Sequence, residues 1–354
     1  MLQTESKVRE KLILNVRQDL NQPSLFSAKD IRFSLIVSSI YLLVSYFLLG
    51  FKGEQLVLVF LFNSLYFASN TTRRLVTGFS IFIIYWIIFD YMKAFPNYRF
   101  NTVHIASLYN LEKEFFGVHW NNSILTPNEF FALNHNTALD IMTGVFYLCW
   151  IPVPLLFAGI IFFKNRKYFF YFSLTFFLVN LLGFIGYYAY PAAPPWYVAQ
   201  HGFNFIAATP GNTGGLARFD SYFGIKLFES MYSKSSNVFA AMPSMHAAFM
   251  LIVLYYGIKS GLKGWNFLFG IVMVGIWFSA VYTSHHYILD IIAGIACAFL
   301  AIFLLQRFIQ RTKQEQTTAE SAGTYLPVNL SVITQIILSA FQMKSYKQFA
   351  KVQL

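Results

Sequence analysis

The chain has 354 residues and a formal net charge of +11, with 56% hydrophobic, 19% aromatic and 12% charged residues. A soluble domain carries about 25% charged residues; so thin a polar coat cannot cover this much apolar surface, which excludes an ordinary soluble globule and leaves lipid as the better solvent. The positive balance would suggest nucleic acid in a soluble chain, but here it clusters beside apolar runs, where membrane orientation signals sit, and nucleic-acid binding is set aside. Cys149 and Cys297 both fall in apolar stretches and form neither a disulfide framework nor a ligand spacing.

In chain order, residues 1–31 are mixed polar, lack the pattern of a cleavable signal peptide and can form an amphipathic surface helix. A helix needs about 20 apolar residues to cross a bilayer, fewer where flanking side chains snorkel. Candidate spans are 33–52, 55–70, 75–93, 138–163, 168–190, 238–258, 266–283 and 286–306. The second is short enough to be re-entrant and the boundary between the last two is loose, so six to eight spans are expected. An open sheet edge cannot face lipid. The expected fold class is therefore all-α, a polytopic membrane helical bundle of about eight spans. Residues 312–324, rich in Thr, Gln, Ser, Ala and Glu, read as a mobile linker, and 328–342 as a second amphipathic segment.

Positive charge sets the orientation. Lys7, Arg9, Lys11, Arg17, Lys29 and Arg32 precede the first span. Arg73 and Arg74 follow the second, Lys164, Arg166 and Lys167 the fourth, Lys259 and Lys263 the sixth, and Arg307, Arg311 and Lys313 the eighth. With both termini cytoplasmic, all of these groups lie inside. The long connections 94–137 and 191–237 lie outside, where Glu112, Glu114, Asp220 and Glu229 dilute the basic residues. The same topology places His104, His119, His135, His201, His246, His285 and His286, all seven histidines of the chain, in outer connections or at outer ends of spans. Imidazole titrates near neutrality, so proton and phosphoryl chemistry is expected at that face.

The strongest motif is His286-Tyr287-Ile288-Leu289-Asp290. If helical, it puts His286 and Asp290 on one face, where the carboxylate can fix the imidazole tautomer and leave Nε2 free as nucleophile or base. The alternative is a His–Asp pair that merely staples two helices. The second motif is Ala241-Met242-Pro243-Ser244-Met245-His246. Pro243 suits the first turn of a helix; Ser244 and the nearby N–H groups would make a positive end for a phosphate oxygen, beside His246 as a proton donor.

Together, Pro243-Ser244-Met245-His246 and Ser279 with His286-x-x-x-Asp290 resemble the type-2 phosphatidic acid phosphatase superfamily. Its usual motifs are Pro-Ser-Gly-His, and Ser-Arg followed by a His-x-x-x-Asp group. Pro191-Ala192-Ala193-Pro194-Pro195-Trp196-Tyr197 and Tyr282-Thr283-Ser284-His285-His286-Tyr287 look more closely like the fungal-type inositol phosphorylceramide synthase branch, over roughly 75–306. The resemblance implies two-step transfer: His286 attacks phosphorus and forms a phosphohistidine, His246 serves as acid and then base, and Asp290 orients His286. It implies no metal and no cofactor. The sequence departs from the pattern at Met245 and Ala280, which stand where glycine and arginine are usual, and it lacks the cationic first motif. Fewer cations favour a phosphodiester over a phosphomonoester.

Candidate compensating cations are His285, Arg218, Lys226 and Lys234, with Arg218 favoured for its fork. Pro191–Tyr197 is expected to form a rigid extended lip, with Trp196 and Tyr197 as interfacial anchors or head-group contacts. Asp140 and Asp90 are further head-group candidates. The substrate-binding set is thus Ser244, His285, Arg218, Trp196, Tyr197 and Asp140. The expected organisation is a cytoplasmic segment at 1–31, a membrane catalytic domain at 32–306 and a cytoplasmic basic tail at 307–354. The expected partners are a phospholipid donor, inositol phosphate being the head group the resemblance suggests, and a ceramide-like acceptor. A lipid phosphatase using the same residues with water as acceptor is the alternative. The expected site lies outside, in a bacterial inner membrane facing the periplasm or a Golgi-type membrane facing the lumen.

Overall fold

A computed structural model describes residues 25–233 and 237–321. The segments expected to be amphipathic at 328–342 and over most of 1–31 lie outside the described residues, as does Lys234. The described chain is mostly helical, with one antiparallel pair of three-residue strands, β1 (Val118–Trp120) and β2 (Ser123–Leu125). It forms two compact units, Met1–Phe79 and Ser80–Leu354.

The first unit contains α1 (Ala28–Leu49), α2 (Gly53–Ala68) and α3 (Asn70–Gly78). In lipid, apolar side chains give helices little reason to associate, so polar contacts carry the specificity. Asp30 pairs with Arg73 at 3.2 Å and accepts the Tyr66 hydroxyl at 3.1 Å. The Arg73 guanidinium also lies 4.6 Å from the Tyr66 ring centroid, and Asn63 Nδ2 donates to Ser38 Oγ at 3.0 Å.

The second unit begins with α4 (Ser80–Tyr91) and continues through α5 (Ala106–Phe116), α6 (Pro127–Leu133), α7 (Thr137–Leu148), α8 (Pro152–Lys164) and α9 (Arg166–Ala189). Three short helices follow, α10 (Pro195–His201), α11 (Ala217–Phe223) and α12 (Leu227–Tyr232). The last three helices are α13 (Met245–Lys259), α14 (Trp265–Tyr282) and α15 (Ile288–Ser321). At its centre stands α13, packed against α8, α9, α14 and α15. Aromatic rings fill the space around it: Phe249 of α13 meets Phe176 of α9 at 4.5 Å between centroids. Thr175 and Tyr256 join the same two helices by a 2.7 Å hydroxyl contact. Helices α7 and α8 form one bent pair, turned by 41° at a break where Pro152 opens α8; proline cannot continue the hydrogen-bond ladder of the preceding helix.

Among the described residues, four helices are long and apolar enough to cross a membrane, Ala28–Leu49, Arg166–Ala189, Trp265–Tyr282 and Ile288–Thr312. The count rises to six if the pairs Asn70–Gly78 with Ser80–Ala94 and Thr137–Leu148 with Pro152–Lys164 are each one span. The expected count of about eight would need two shorter apolar helices to cross as well. Gly53–Ala68 and Met245–Lys259 are apolar but have only 16 and 15 residues. The sixth expected span, 238–258, loses its first seven residues because Ala240 pairs with Ala192 as an isolated bridge and the helix starts only at Met245. The linker expected at 312–324 is also corrected: α15 continues through it to Ser321, as the helix-favouring Lys, Gln, Glu and Ala residues there allow.

Candidate active site

The site is built where the starts of α13 and α15 dock. Ser244 is the N-cap of α13, its Oγ accepting from Ala247 N at 3.4 Å, and its own N–H donates to Asp290 O at 2.9 Å. Pro243 therefore precedes the cap and does not occupy the first helical turn. The docking depends on Gly294, where a side-chain carbon would collide with the Ser244 carbonyl. Gly294→Ala is expected to cost about 1–3 kcal/mol through overpacking, read as a lowered melting temperature of the detergent-purified protein; an unchanged melting temperature would refute the close-approach argument.

His286 sits in a turn before α15, not in the helix. The N–H groups of His285 and His286 both donate to Ala280 O at 3.0 Å. The turn nonetheless brings His286 Nδ1 to 3.5 Å from Asp290 Oδ2, with the carboxylate fully buried. Asp290 Oδ2 also accepts Tyr287 N–H at 2.8 Å, folding the carboxylate back over the helix start. The facing nitrogen, His286 Nε2, lies 2.9 Å from His246 Nδ1. The two histidines and the aspartate thus form one connected group.

A second set of residues, not anticipated from the sequence, fixes His246. Tyr147 Oη lies 3.2 Å from His246 Nε2, and the Tyr232 hydroxyl donates to Tyr147 Oη at 3.1 Å. Tyr147 thus holds the Nε2 edge of His246 and leaves Nδ1 as the nitrogen that faces His286 Nε2. Trp150 closes the side, its ring meeting that of His246 edge-on at 4.4 Å. Tyr147 and Trp150 lie at the α7–α8 bend, so the proline break is what delivers them. Tyr147→Phe removes one hydrogen bond and is expected to lower kcat about tenfold while leaving KM unchanged. A loss below twofold would exclude a role for this hydroxyl in orienting His246.

The expected substrate-binding residues separate into different tasks. His285 is buried, its Nε2 2.9 Å from Thr213 O, and its ring stacks on Tyr232 at 4.4 Å. Burial, with His286 alongside, pushes the His285 imidazole down to about 3; a neutral ring tied to a carbonyl is a brace and does not fit the role of compensating cation. Trp196 and Tyr197 are buried with Ile105, Ala193 and Phe239, which overturns the interfacial-anchor reading. Their contribution is to scaffolding: Trp196 N–H donates to Ser284 O at 2.9 Å, and the Tyr197 hydroxyl donates to Asn204 O at 2.7 Å. The expected extended lip is a buried strap through Pro194, followed by helix from Pro195.

Arg218 Nε donates to Asp140 Oδ1 at 2.6 Å, the same oxygen that accepts the Tyr282 hydroxyl at 2.8 Å. Arg218 Nη2 has no hydrogen-bond partner. Gly215 separates this guanidinium from the histidine turn so narrowly that a side-chain carbon there would lie 2.9 Å from both Arg218 Nη2 and Thr283 Cα. Asp140 is thereby an arginine holder, a task different from direct head-group contact. Lys226 is exposed and faces Glu229 at 3.4 Å, and Asp90 pairs with Lys93 at 2.5 Å. Among the described residues, no group of three or more His, Cys, Asp or Glu side chains is arranged to hold a metal ion.

Residues 106–304, more than half of the chain, match the PAP2 superfamily. The chain belongs to this superfamily. It is 45% identical over 276 residues to the phosphoinositol dihydroceramide synthase of Bacteroides thetaiotaomicron, covering 77% of this chain and 90% of that one. It is 31% identical over 193 residues to the inositol phosphorylceramide synthase of Candida albicans, covering 51% of this chain and 40% of that one. The catalytic subunit of the Schizosaccharomyces pombe inositol phosphorylceramide synthase is 28% identical over 242 residues, with 67% of this chain and 55% of that one covered. The chain therefore spans about half the length of these fungal relatives and most of the bacterial one. No solved structure matches. With these relatives and its apolar spans, this PAP2 member is an integral membrane enzyme of the phosphotransferase kind.

The two departures from the usual PAP2 motifs have local accommodations. Met245 packs onto α9 over Gly183, where a side-chain carbon would lie 2.7 Å from Met245 Sδ. Ala280 is buried among Tyr147, Phe219 and Val281, and its carbonyl anchors the histidine turn.

Proposed function

We propose that the enzyme transfers inositol phosphate from phosphatidylinositol to the hydroxyl of a ceramide-like lipid through a phosphohistidine at His286. The observation that carries this reading is the 2.9 Å approach of His246 Nδ1 to His286 Nε2. In the first step a phosphodiester enters between the two rings and His286 Nε2 attacks phosphorus. The bond to the diacylglycerol oxygen breaks, and that oxygen takes the Nδ1 proton of a His246 imidazolium, leaving the ring neutral. In the second step the acceptor hydroxyl gives its proton to His246 and attacks phosphorus, and the P–N bond breaks. Asp290, 3.5 Å from Nδ1, stabilises the positive imidazole of the intermediate. Arg218 Nη2 supplies the cation, and Ser244 the capped helix start facing the phosphate.

The names of the relatives support this head group and acceptor. Their being synthases favours transfer over hydrolysis, which would use the same residues with water. The orientation argued from the basic residues, with about eight spans and both termini cytoplasmic, supports an outer-face site.

The test uses purified enzyme in mixed micelles of labelled phosphatidylinositol and ceramide, with lipid and water-soluble products separated. A labelled ceramide product supports transfer. Water-soluble inositol phosphate as the sole product would replace transfer with hydrolysis.

A further inference from the structure

We infer that the connection before α7 is a clamp that positions the nucleophile: Glu112 of α5 and Asn128 of α6 hold the His286 turn by its amides and its carbonyls. Glu112 is fully buried. Its Oε1 accepts Ile288 N–H at 2.9 Å and its Oε2 accepts Leu289 N–H at 3.1 Å, across more than 170 residues of sequence. Asn128 Nδ2 donates to Val281 O at 2.8 Å and to His286 O at 2.9 Å. The first closes the amide side of the turn and the second its carbonyl side.

The first N–H groups of a helix have no partner inside it and are usually met by a short local side chain. Here Asp290 takes the Tyr287 N–H, and the next two are met from another helix. The arrangement places two carboxylates, Glu112 and Asp290, at one buried helix start. Burial pushes the Glu112 carboxyl up to about 7, against the pull of the Ile288 and Leu289 N–H groups, with Asp290 adding to the rise. A buried carboxylate is costly, and a merely apolar contact between α5 and α15 would avoid that cost. What the carboxylate supplies is a bidentate hold on two successive amides, and with it a fixed path for the backbone that carries His286. Catalytic geometry is sensitive at this scale, since a displacement of about 1 Å can cost on the order of 100-fold in rate. Glu112 and Asn128 are positioning residues, acting through His286 without contact to the reacting atoms.

The kinetic arm of the test rests on His286 being the nucleophile; the structural arm does not. Hydrogen exchange by mass spectrometry on the full-length, detergent-purified protein reads the peptide covering residues 283–290 without substrate. Donor consumption, by transfer or hydrolysis, reads the chemistry. Glu112→Gln is expected to speed exchange in that peptide about tenfold, leave exchange in α9 and α13 unchanged, and lower kcat on the order of 100-fold with KM within about twofold. Asn128→Ala, which serves also if Glu112→Gln fails to fold, is expected to behave the same way. The double variant should fall far short of the product of the single losses, because both act through one turn. Unchanged exchange and kcat would overturn the clamp. So would a raised KM at constant kcat, which would make Glu112 a substrate contact, or loosened exchange throughout the second unit, which would make it a general stabiliser. If the wild type consumes no donor, the functional reading fails and the exchange data alone decide the clamp.

Discussion

His286→Ala is expected to lower consumption of labelled phosphatidylinositol by at least about 10⁴-fold, with ceramide product and water-soluble phosphate lost together. Every path through this site begins with the same bond. His286 Nε2 is the nitrogen that faces His246 Nδ1 at 2.9 Å, while its Nδ1 is turned to Asp290. Removing a nucleophile leaves only the catalysis that binding and electrostatic stabilisation supply. His246 is poorly placed to substitute, because Tyr147 Oη already holds its Nε2 at 3.2 Å. Phosphate incorporation into the wild-type protein, labile to acid and absent from the variant, is the accompanying readout. Residual transfer above about one per cent of wild type would mean that His286 is not the nucleophile.

His246→Gln is expected to cost 10²–10⁴-fold in kcat, the range of general acid–base catalysis, and to do so selectively. A diacylglycerol alkoxide is a poor leaving group unless protonated, whereas a nitrophenolate leaves without help. Replacing the donor by a nitrophenyl ester of inositol phosphate should therefore restore the first half-reaction in the variant. The second half still needs a base, so nitrophenolate should appear as a single burst followed by a stall with phosphorylated protein. An equal loss with both donors would remove His246 from the role of acid. A restored steady state would remove it from the role of base.

The sequence made the membrane character and most helix positions legible, because apolar runs are a local signal that survives without knowledge of neighbours. The His286/Asp290 and His246 motifs were legible for the same reason, each being contained in a few consecutive residues. The helical spacing offered for His286 and Asp290 was a wrong route to their contact: the turn at Ser284–Tyr287 and the back-folded Asp290 make it. Tyr147, Tyr232, Glu112 and Asn128 were not legible, since their contacts bridge separations of 85 to 177 residues and leave no period in the chain. A phenol within an otherwise apolar span was the one hint for Tyr147. Trp196 and Tyr197 were misread because aromatic residues beside prolines suit a membrane interface as well as a buried strap. The start of the sixth candidate span was misplaced because hydropathy does not reveal where Ala240 leaves the helical path.

The shortness of α13 sets where a reacting phosphate can sit. Fifteen residues rise about 22 Å, against a hydrocarbon thickness of about 30 Å. On the proposed outer-face topology, with α13 reaching the opposite boundary, its His246 end stops about 8 Å below the plane of the surrounding glycerol groups. There the phosphodiester of the proposed donor would be drawn down from its leaflet, while the hydroxyl of the proposed acceptor would approach from the side. Under that reading the choice of acceptor becomes a matter of vertical position: a sunken reaction centre meets buried alcohols at high local concentration and the solvent at low.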